Sequence, residues 1–277
     1  WSMSQDTDVP TGQGFASSIK LDCTTADASL AVGDQLGLET RLEGLNCQQL
    51  DYGTANAKST TLSFWVKSNK TGVYTFEYFQ GDSSRSISQT YTISVADTWE
   101  KKTITIDGDT SGAINNDNGL GLLAKWWLAA GTNWTSGTLA TSWATLSNPN
   151  RVSSSNVNLA DSTSNYINVT GVQLEVNTTA TPFEHLQYGQ QLALCQRYLP
   201  AFSGSFSWFG YGIIANSSGL YATVPYKVPT RVAPTGLVIS SPSHFTCGDF
   251  VATSNIVSAI SISSAGTDSA LLGVTSS

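Results

Sequence analysis

Carboxylate and amide side chains are concentrated in IDGDTSGAINNDNG, residues 106–119, where they could do chemistry in two ways. Asp107, Asp109 and Asp117 could place two carboxylates opposite each other, as glycosidases do. With Asn115 they also supply the hard oxygen ligands that Ca²⁺ prefers, although the spacing is not that of an EF-hand loop. A solvated turn, in which each Asp hydrogen-bonds to its own backbone, explains this Gly- and Asn-rich stretch as well. The sequence favours the turn and keeps a structural Ca²⁺ as an alternative.

Aromatic side chains form the second group that could bind a ligand. Sugar rings present apolar C–H faces that stack on aromatic rings, while neighbouring polar groups bind the hydroxyls. The candidate glycan contacts are Trp127, Trp134, Trp143, Trp208 and Tyr211. The alternative is that these residues fill a core or a contact between subunits, and we expect Trp126 and Leu128 to face inward.

Other catalytic motifs are missing from the sequence. His185 and His244 stand apart from any Ser or Cys motif, and no Gly-x-Ser-x-Gly, His-Glu-x-x-His or phosphate-binding glycine loop occurs. We therefore expect a protein that is not an enzyme and has no cofactor apart from the possible Ca²⁺. The cysteines have no zinc-type spacing. Cys23 and Cys47 could pair, but free buried thiols are favoured.

Composition excludes two classes of partner. Charged residues make up 12% of the 277, with a net charge of -7, and the 13 Lys and Arg residues are scattered rather than clustered as in nucleic-acid-binding proteins. No apolar run approaches the roughly 20 residues that span a bilayer, and no signal segment opens the chain. We expect neither nucleic-acid binding nor membrane insertion. The start at Trp1 suggests that the numbered chain is part of a longer translation product.

Most of the sequence alternates in the manner of β-strands. Residues 61–68 and 71–79 are predicted to form one hairpin, and residues 88–95 and 99–107 another. Residues 120–131 are predicted as a strand and 132–165 as a long polar excursion. In residues 166–177 the apolar positions change parity, which predicts a bulge at Thr170-Gly171. Such strands with Gly, Asn and Ser turns indicate an all-β sandwich.

One helix is predicted in the segment from residue 181 to residue 202. Tyr188, Leu192, Cys195 and Leu199 are spaced four, three and four apart, which makes an apolar seam. We call these four residues the seam. A second β-pattern follows, with strands predicted at 207–215, 219–229, 235–241, 255–266 and 270–277. The chain therefore divides into a β-sandwich of residues 1–180, a helical linker of residues 181–202 and a smaller C-terminal β-sandwich of residues 203–277.

Four strings in the sequence resemble virion appendage proteins of tailed bacteriophages, either tail fibres or head fibres. They are LSFWVKS, TWEKKTITIDGDTSG, GVQLEVNTTATPFEHLQYGQQLALCQRYL and KVPTRVAPT. The resemblance implies that the first domain is a jelly roll like those of carbohydrate-binding modules, which often hold a structural Ca²⁺. It also implies a homotrimer, in which the seam would lie at the symmetry axis.

These observations lead to three functional hypotheses. The first is a non-enzymatic structural protein on the virion surface that contacts host-surface carbohydrate and other virion proteins. The second is a purely architectural capsid-decorating or tail-attachment protein without a ligand. The third is a glycan-depolymerising appendage enzyme that acts through the Asp107 region. Exposure of Trp134 and Trp143 would separate the first from the second.

Overall fold

The computed structural model describes residues 1–202, 209–214, 219–248 and 254–276. The chain divides into two compact units, Trp1–Glu184 and His185–Ser277. Strands dominate both units, which confirms the predicted all-β class. The helix predicted between residues 181 and 202 falls in the second unit.

Ten strands build the first unit, and all their pairings are antiparallel. They are β1 (Ser2–Asp6), β2 (Ser18–Asp22), β3 (Gln35–Glu43), β4 (Thr60–Ser68), β5 (Gly72–Gln80), β6 (Arg85–Ile93), β7 (Glu100–Ile106), β8 (Leu120–Ala130), β9 (Ala144–Thr145) and β10 (Tyr166–Glu175). One sheet has the order β1-β2-β10-β4-β7 and the other β3-β8-β5-β6-β9. Their inner faces share one core, in which the ring of Phe64 on β4 meets Tyr91 on β6 and Trp126 on β8 edge-on. Trp126 and Leu128 face inward, as predicted.

Both predicted hairpins are wrong. Consecutive strands β4 and β5 lie in different sheets, and so do β6 and β7. The true hairpin joins β5 to β6, while β4 pairs with the distant strands β7 and β10. Alternation predicts which side of a strand is buried, but the choice of partner depends on long-range packing between the two sheets.

The bulge predicted in the last strand of the first unit is confirmed. The pairing of β10 with β4 shifts register between Thr170 and Gln173, and Gly171 adopts a φ of +59°. A Cβ atom at Gly171 would lie 2.5 Å from the ring of Phe15. Glycine is therefore needed here both for the backbone angle and for the close approach of the ring.

The described residues of the second unit form five strands in one antiparallel sheet of order β11-β12-β15-β14-β13. They are β11 (Tyr211–Ile214), β12 (Gly219–Pro225), β13 (Thr246–Gly248), β14 (Ser254–Ala265) and β15 (Ser269–Ser276). The strand predicted at 235–241 is wrong, because that segment follows an irregular path on which Val238 is almost fully exposed.

Short helices accompany the strands. α1 (Thr132–Thr135) lies in the long excursion of the first unit, and α2 (Tyr188–Tyr198) in the second unit is the predicted helix. Leu199 caps α2 at its C-terminal end rather than belonging to it. In the part of the chain that the structure describes, none of the helices has the length and apolar character needed to cross a bilayer.

Candidate functional site

The excursion after β8 covers the outer face of the β3-β8-β5-β6-β9 sheet. The backbone N–H of Thr75 on β5 donates to Asn156 Oδ1 at 2.7 Å, and that of Ser88 on β6 donates to the carbonyl oxygen of Ala140 at 2.7 Å. The hydroxyl of Ser88 donates to the carbonyl oxygen of Arg151. These polar strand residues, Thr75 and Ser88, are therefore buried on the side of the sheet that faces away from the core.

A charged cluster lies beneath this cover. Glu77 on β5 is completely buried, and its Oε1 accepts from Arg151 Nε at 2.6 Å. Its Oε2 accepts from Arg151 Nη2 at 3.1 Å and from Trp127 Nε1 at 2.8 Å. The Arg151 guanidinium also lies 5.3 Å from the ring centroid of Trp127 and 5.2 Å from that of Trp134. We call Glu77, Trp127, Trp134 and Arg151 the clamp, because it fixes the excursion to the sheet.

Burial shifts the pKa values of Glu77 in the clamp and of Lys125 beside it. Loss of solvent raises the pKa of Glu77 above the ordinary value of 4.5, and Arg151 partly offsets this rise. Loss of solvent also disfavours the charged form of Lys125 on β8, and this lowers the pKa of that residue. The Nζ of Lys125 donates to Gln35 Oε1 at 2.8 Å and lies 3.8 Å from the ring centroid of Trp127.

Two of the predicted glycan contacts belong to this clamp. Trp127 is fully buried, so the predicted sugar contact through this residue does not fit the structure. Trp134 is only partly buried, but its ring packs against Trp127 at a centroid distance of 5.5 Å and against Arg151. The sequence could not distinguish sugar contact from packing within the clamp, because Arg151 lies 74 positions from Glu77.

Trp143 packs in another part of the first unit, outside the clamp. Its Nε1 donates to the carbonyl oxygen of Asp107 at 2.7 Å, and its ring meets Tyr52 edge-on at 5.6 Å. Part of the ring remains accessible. The predicted aromatic contacts Trp134 and Trp143 thus have structural partners within the chain and expose only part of their surface.

The structure gives each member of the acidic stretch its own partner. Asp109 is buried and accepts from Arg85 Nε at 2.7 Å, whereas Asp107 Oδ1 accepts from the hydroxyl of Ser59 at 3.1 Å. Asn115 donates from its backbone and side chain to Asp82, and Asp117 Oδ1 accepts from the backbone N–H of Gly119. Across the described ranges, no group of three or more His, Cys, Asp or Glu residues could hold a metal ion. The capped turn predicted for this stretch matches Asp117 and also Asp109, whose Oδ1 accepts from Ser111 N.

The seam and Tyr211 lie on the surface of the second unit. No residue of α2 is buried, and Tyr188 is 77% exposed, Leu192 38% and Leu199 71%. Cys195 is exposed as well. Tyr211 on β11 is 76% exposed, whereas Trp208 lies outside the described residues.

Two of the cysteines are buried in the first unit. Cys23 and Cys47 are unpaired, and the thiol of Cys23 donates to the carbonyl oxygen of Thr25. Burial raises the pKa of the Cys47 thiol to about 11, which keeps it protonated and unreactive at neutral pH.

No protein-family model matches the sequence, and no curated protein matches it. The chain is similar in structure to a solved family 16 carbohydrate-binding module-2, with 11% identity, a TM-score of 0.30, and coverage of 62% of this chain and 84% of that chain. It is also similar to the enzymatically active domain of tailspike protein 4 of bacteriophage CBA120, with 15% identity, a TM-score of 0.35, and coverage of 64% of this chain and 18% of that chain.

Proposed function

We propose that this chain is a non-enzymatic structural protein of a bacteriophage particle that assembles into a homotrimer and contacts host-surface glycan. The phage-appendage strings in the sequence motivate this proposal, and the exposure of the seam on α2 carries it. Each copy would present its first unit at the virion surface. Assembly would join the copies through the second unit.

The seam supports assembly because the structure leaves much of its apolar surface exposed, above all at Tyr188 and Leu199. α2 has 11 residues, and isolated helices shorter than about 12–15 residues are marginal in water. Most helices of this length are stabilised by packing an apolar face, yet Tyr188 on α2 and Leu199 at its C-terminal cap are among the most exposed large apolar residues that the structure describes. Contact between seams of neighbouring copies would supply the missing packing.

Each copy would bind glycan weakly, and the presence of three copies in one assembly would strengthen the binding. Trp134 and Trp143 expose part of their rings beside polar residues such as Asn133 and Ser142. Three copies on one particle would raise the effective concentration of the second and third contacts. The acidic stretch supports a protein without catalysis, since Asp109 is buried against Arg85 and is not free to act as an acid or base.

Light scattering tests the assembly directly. The mass of the wild type in solution should be three times the 29.4 kDa of one chain, and Leu192→Asp should reduce it to that of one chain. Leu194→Asp is the matched control, because Leu194 lies on the same helix outside the seam and is also exposed. A wild type that is monomeric at all concentrations would contradict the proposal.

The architectural alternative is favoured by one observation, the partial burial of Trp134 and Trp143 against residues of their own chain. An array of bacterial surface polysaccharides separates the two candidates. The trimeric wild type should be retained by at least one polysaccharide, and Trp143→Leu should weaken the retention. A correctly assembled trimer that binds none of them would favour the capsid-decorating or tail-attachment protein.

A further inference from the structure

The second unit exposes one face of its sheet at the edge strand β11. In the pairing of β11 with β12, Tyr211 lies opposite Thr223 and Ile213 lies opposite Tyr221, so these four side chains share one face. Ile213 is 72% exposed, and both tyrosines are exposed as well. We call these four residues the β11–β12 face.

The β11–β12 face belongs to a sheet whose strands carry no charged side chains. The strand sequences YGII, GLYATVP, SNIVSAISISSA and SALLGVTS of β11, β12, β14 and β15 contain no Asp, Glu, Lys, Arg or His. Charged side chains on an edge strand are one of the devices by which natural proteins prevent association, and β11 carries none.

The described residues of the second unit contribute few buried apolar side chains. Among the residues described between His185 and Ser276, the buried apolar side chains are Val224, Val257 and Ala270. The first unit, in contrast, packs aromatic and aliphatic side chains from both of its sheets into one core. Contact of an exposed apolar face with another surface would add to this packing.

We propose that the β11–β12 face packs against the second unit of another copy of this chain, so that its exposed apolar side chains are covered on assembly. This inference rests on the assembly proposed above and extends it from the helix to the sheet. Identical surfaces that carry no charge can meet without charge repulsion, and β11 and β12 carry none. Ile213 is aliphatic and fits a protein surface better than a sugar ring, which stacks on aromatic faces.

The area of the β11–β12 face determines whether it could hold two copies together without the seam. A tyrosine or an isoleucine exposed to this degree offers on the order of 100–150 Å² of surface. Contact between two such faces would bury several hundred Å², roughly half of what a stable interface buries. The face would therefore add to the seam rather than replace it, and loss of either should weaken assembly.

Hydrogen exchange of the full chain at several protein concentrations tests the inference. Amide protection of β12 and β15 should rise with protein concentration, whereas protection of β5 and β8 should not change. Ile213→Thr keeps a β-branched side chain and removes apolar surface, so the concentration needed for half-maximal protection of β12 should rise about tenfold. Val238→Thr, at an exposed site outside the sheet, is the matched control and should behave as the wild type.

The possible outcomes separate this inference from the proposed function. If Leu192→Asp dissociates the protein but Ile213→Thr leaves both mass and exchange unchanged, assembly stands and the role of the sheet is refuted. Protection of β12 and β15 that is equally strong at all concentrations would show that the second unit is stable alone, which overturns the inference. If Ile213→Thr changes only retention by polysaccharides, the face is a glycan site and not a contact between copies.

Discussion

Replacing Arg151 by Met should strongly destabilise the first unit. The variant keeps an unbranched side chain over Trp127 but removes both hydrogen bonds to the completely buried Glu77. Breaking a buried ion pair from one side leaves an uncompensated charge, which costs about 3–5 kcal/mol. We therefore expect the free energy of unfolding of Trp1–Glu184 to fall by about that amount in urea titrations followed by tryptophan fluorescence. Arg41→Met is the matched control, since the Arg41–Glu39 pair is exposed and its loss should cost about 0–1 kcal/mol.

The dependence of this loss on pH tests its cause. Because burial raises the pKa of Glu77, the folded chain holds a proton at pH values where the unfolded chain has released it. Stability linked to Glu77 is therefore fully present below the ordinary value of 4.5 and decreases as the pH rises through the raised folded value. Without Arg151 the pKa should rise further, so Arg151→Met should lose more stability at about pH 8 than at about pH 5. An equal loss at both pH values, or a loss below about 1 kcal/mol, would refute the reasoning.

The remaining predictions concern the bulge and the cysteines. Gly171→Ala should lower the free energy of unfolding of the first unit by about 1–3 kcal/mol, because the new Cβ would both strain the backbone and clash with Phe15. Gly12→Ala is its control in the same urea titration, because Gly12 has a similar φ but open space, and an equal cost in both variants would contradict the clash. Cys47, whose pKa burial raises to about 11, should not react with a thiol reagent at about pH 8 until the first unit unfolds. Exposed Cys195 should react at once in dilute protein and more slowly as the concentration rises, whereas a constant rate would argue against the seam.

Local features of the fold were predictable from the sequence. The change of parity in residues 166–177 predicted the bulge at Thr170-Gly171, and the spacing of apolar residues predicted α2. The pairing of β4 and β5 was not predictable, because hydrophobic alternation contains no information about which sheet a strand joins. The segment 235–241 alternates like a strand but has no partner strand in the described structure, so its pattern misled the prediction.

The clamp shows why the candidate site was harder to predict than the fold. A glutamate within the strand sequence GVYTFEYFQ was a usable signal, since a charged residue flanked by aromatic residues on both sides requires a partner if it is buried. The partner itself lies in the excursion, at a position that no spacing rule connects to Glu77. The predicted sugar contact through Trp127 fails for the same reason, because its role as a donor to Glu77 exists only once the excursion has folded over the sheet.

The low charge of the chain has a different meaning in its two units. In the first unit charged residues form ion pairs such as Arg151–Glu77 and Arg85–Asp109, and these fix loops to a core that is already complete. In the second unit the long strands have no charge, and apolar residues such as Ile213 and Tyr188 remain on the surface. Under the proposed assembly, the low charge of these strands would suit contact between identical copies. If those contacts form, each assembly links several copies of a self-contained first unit. Any weak binding site on that unit then gains overall affinity from multivalency, without further change in its own structure.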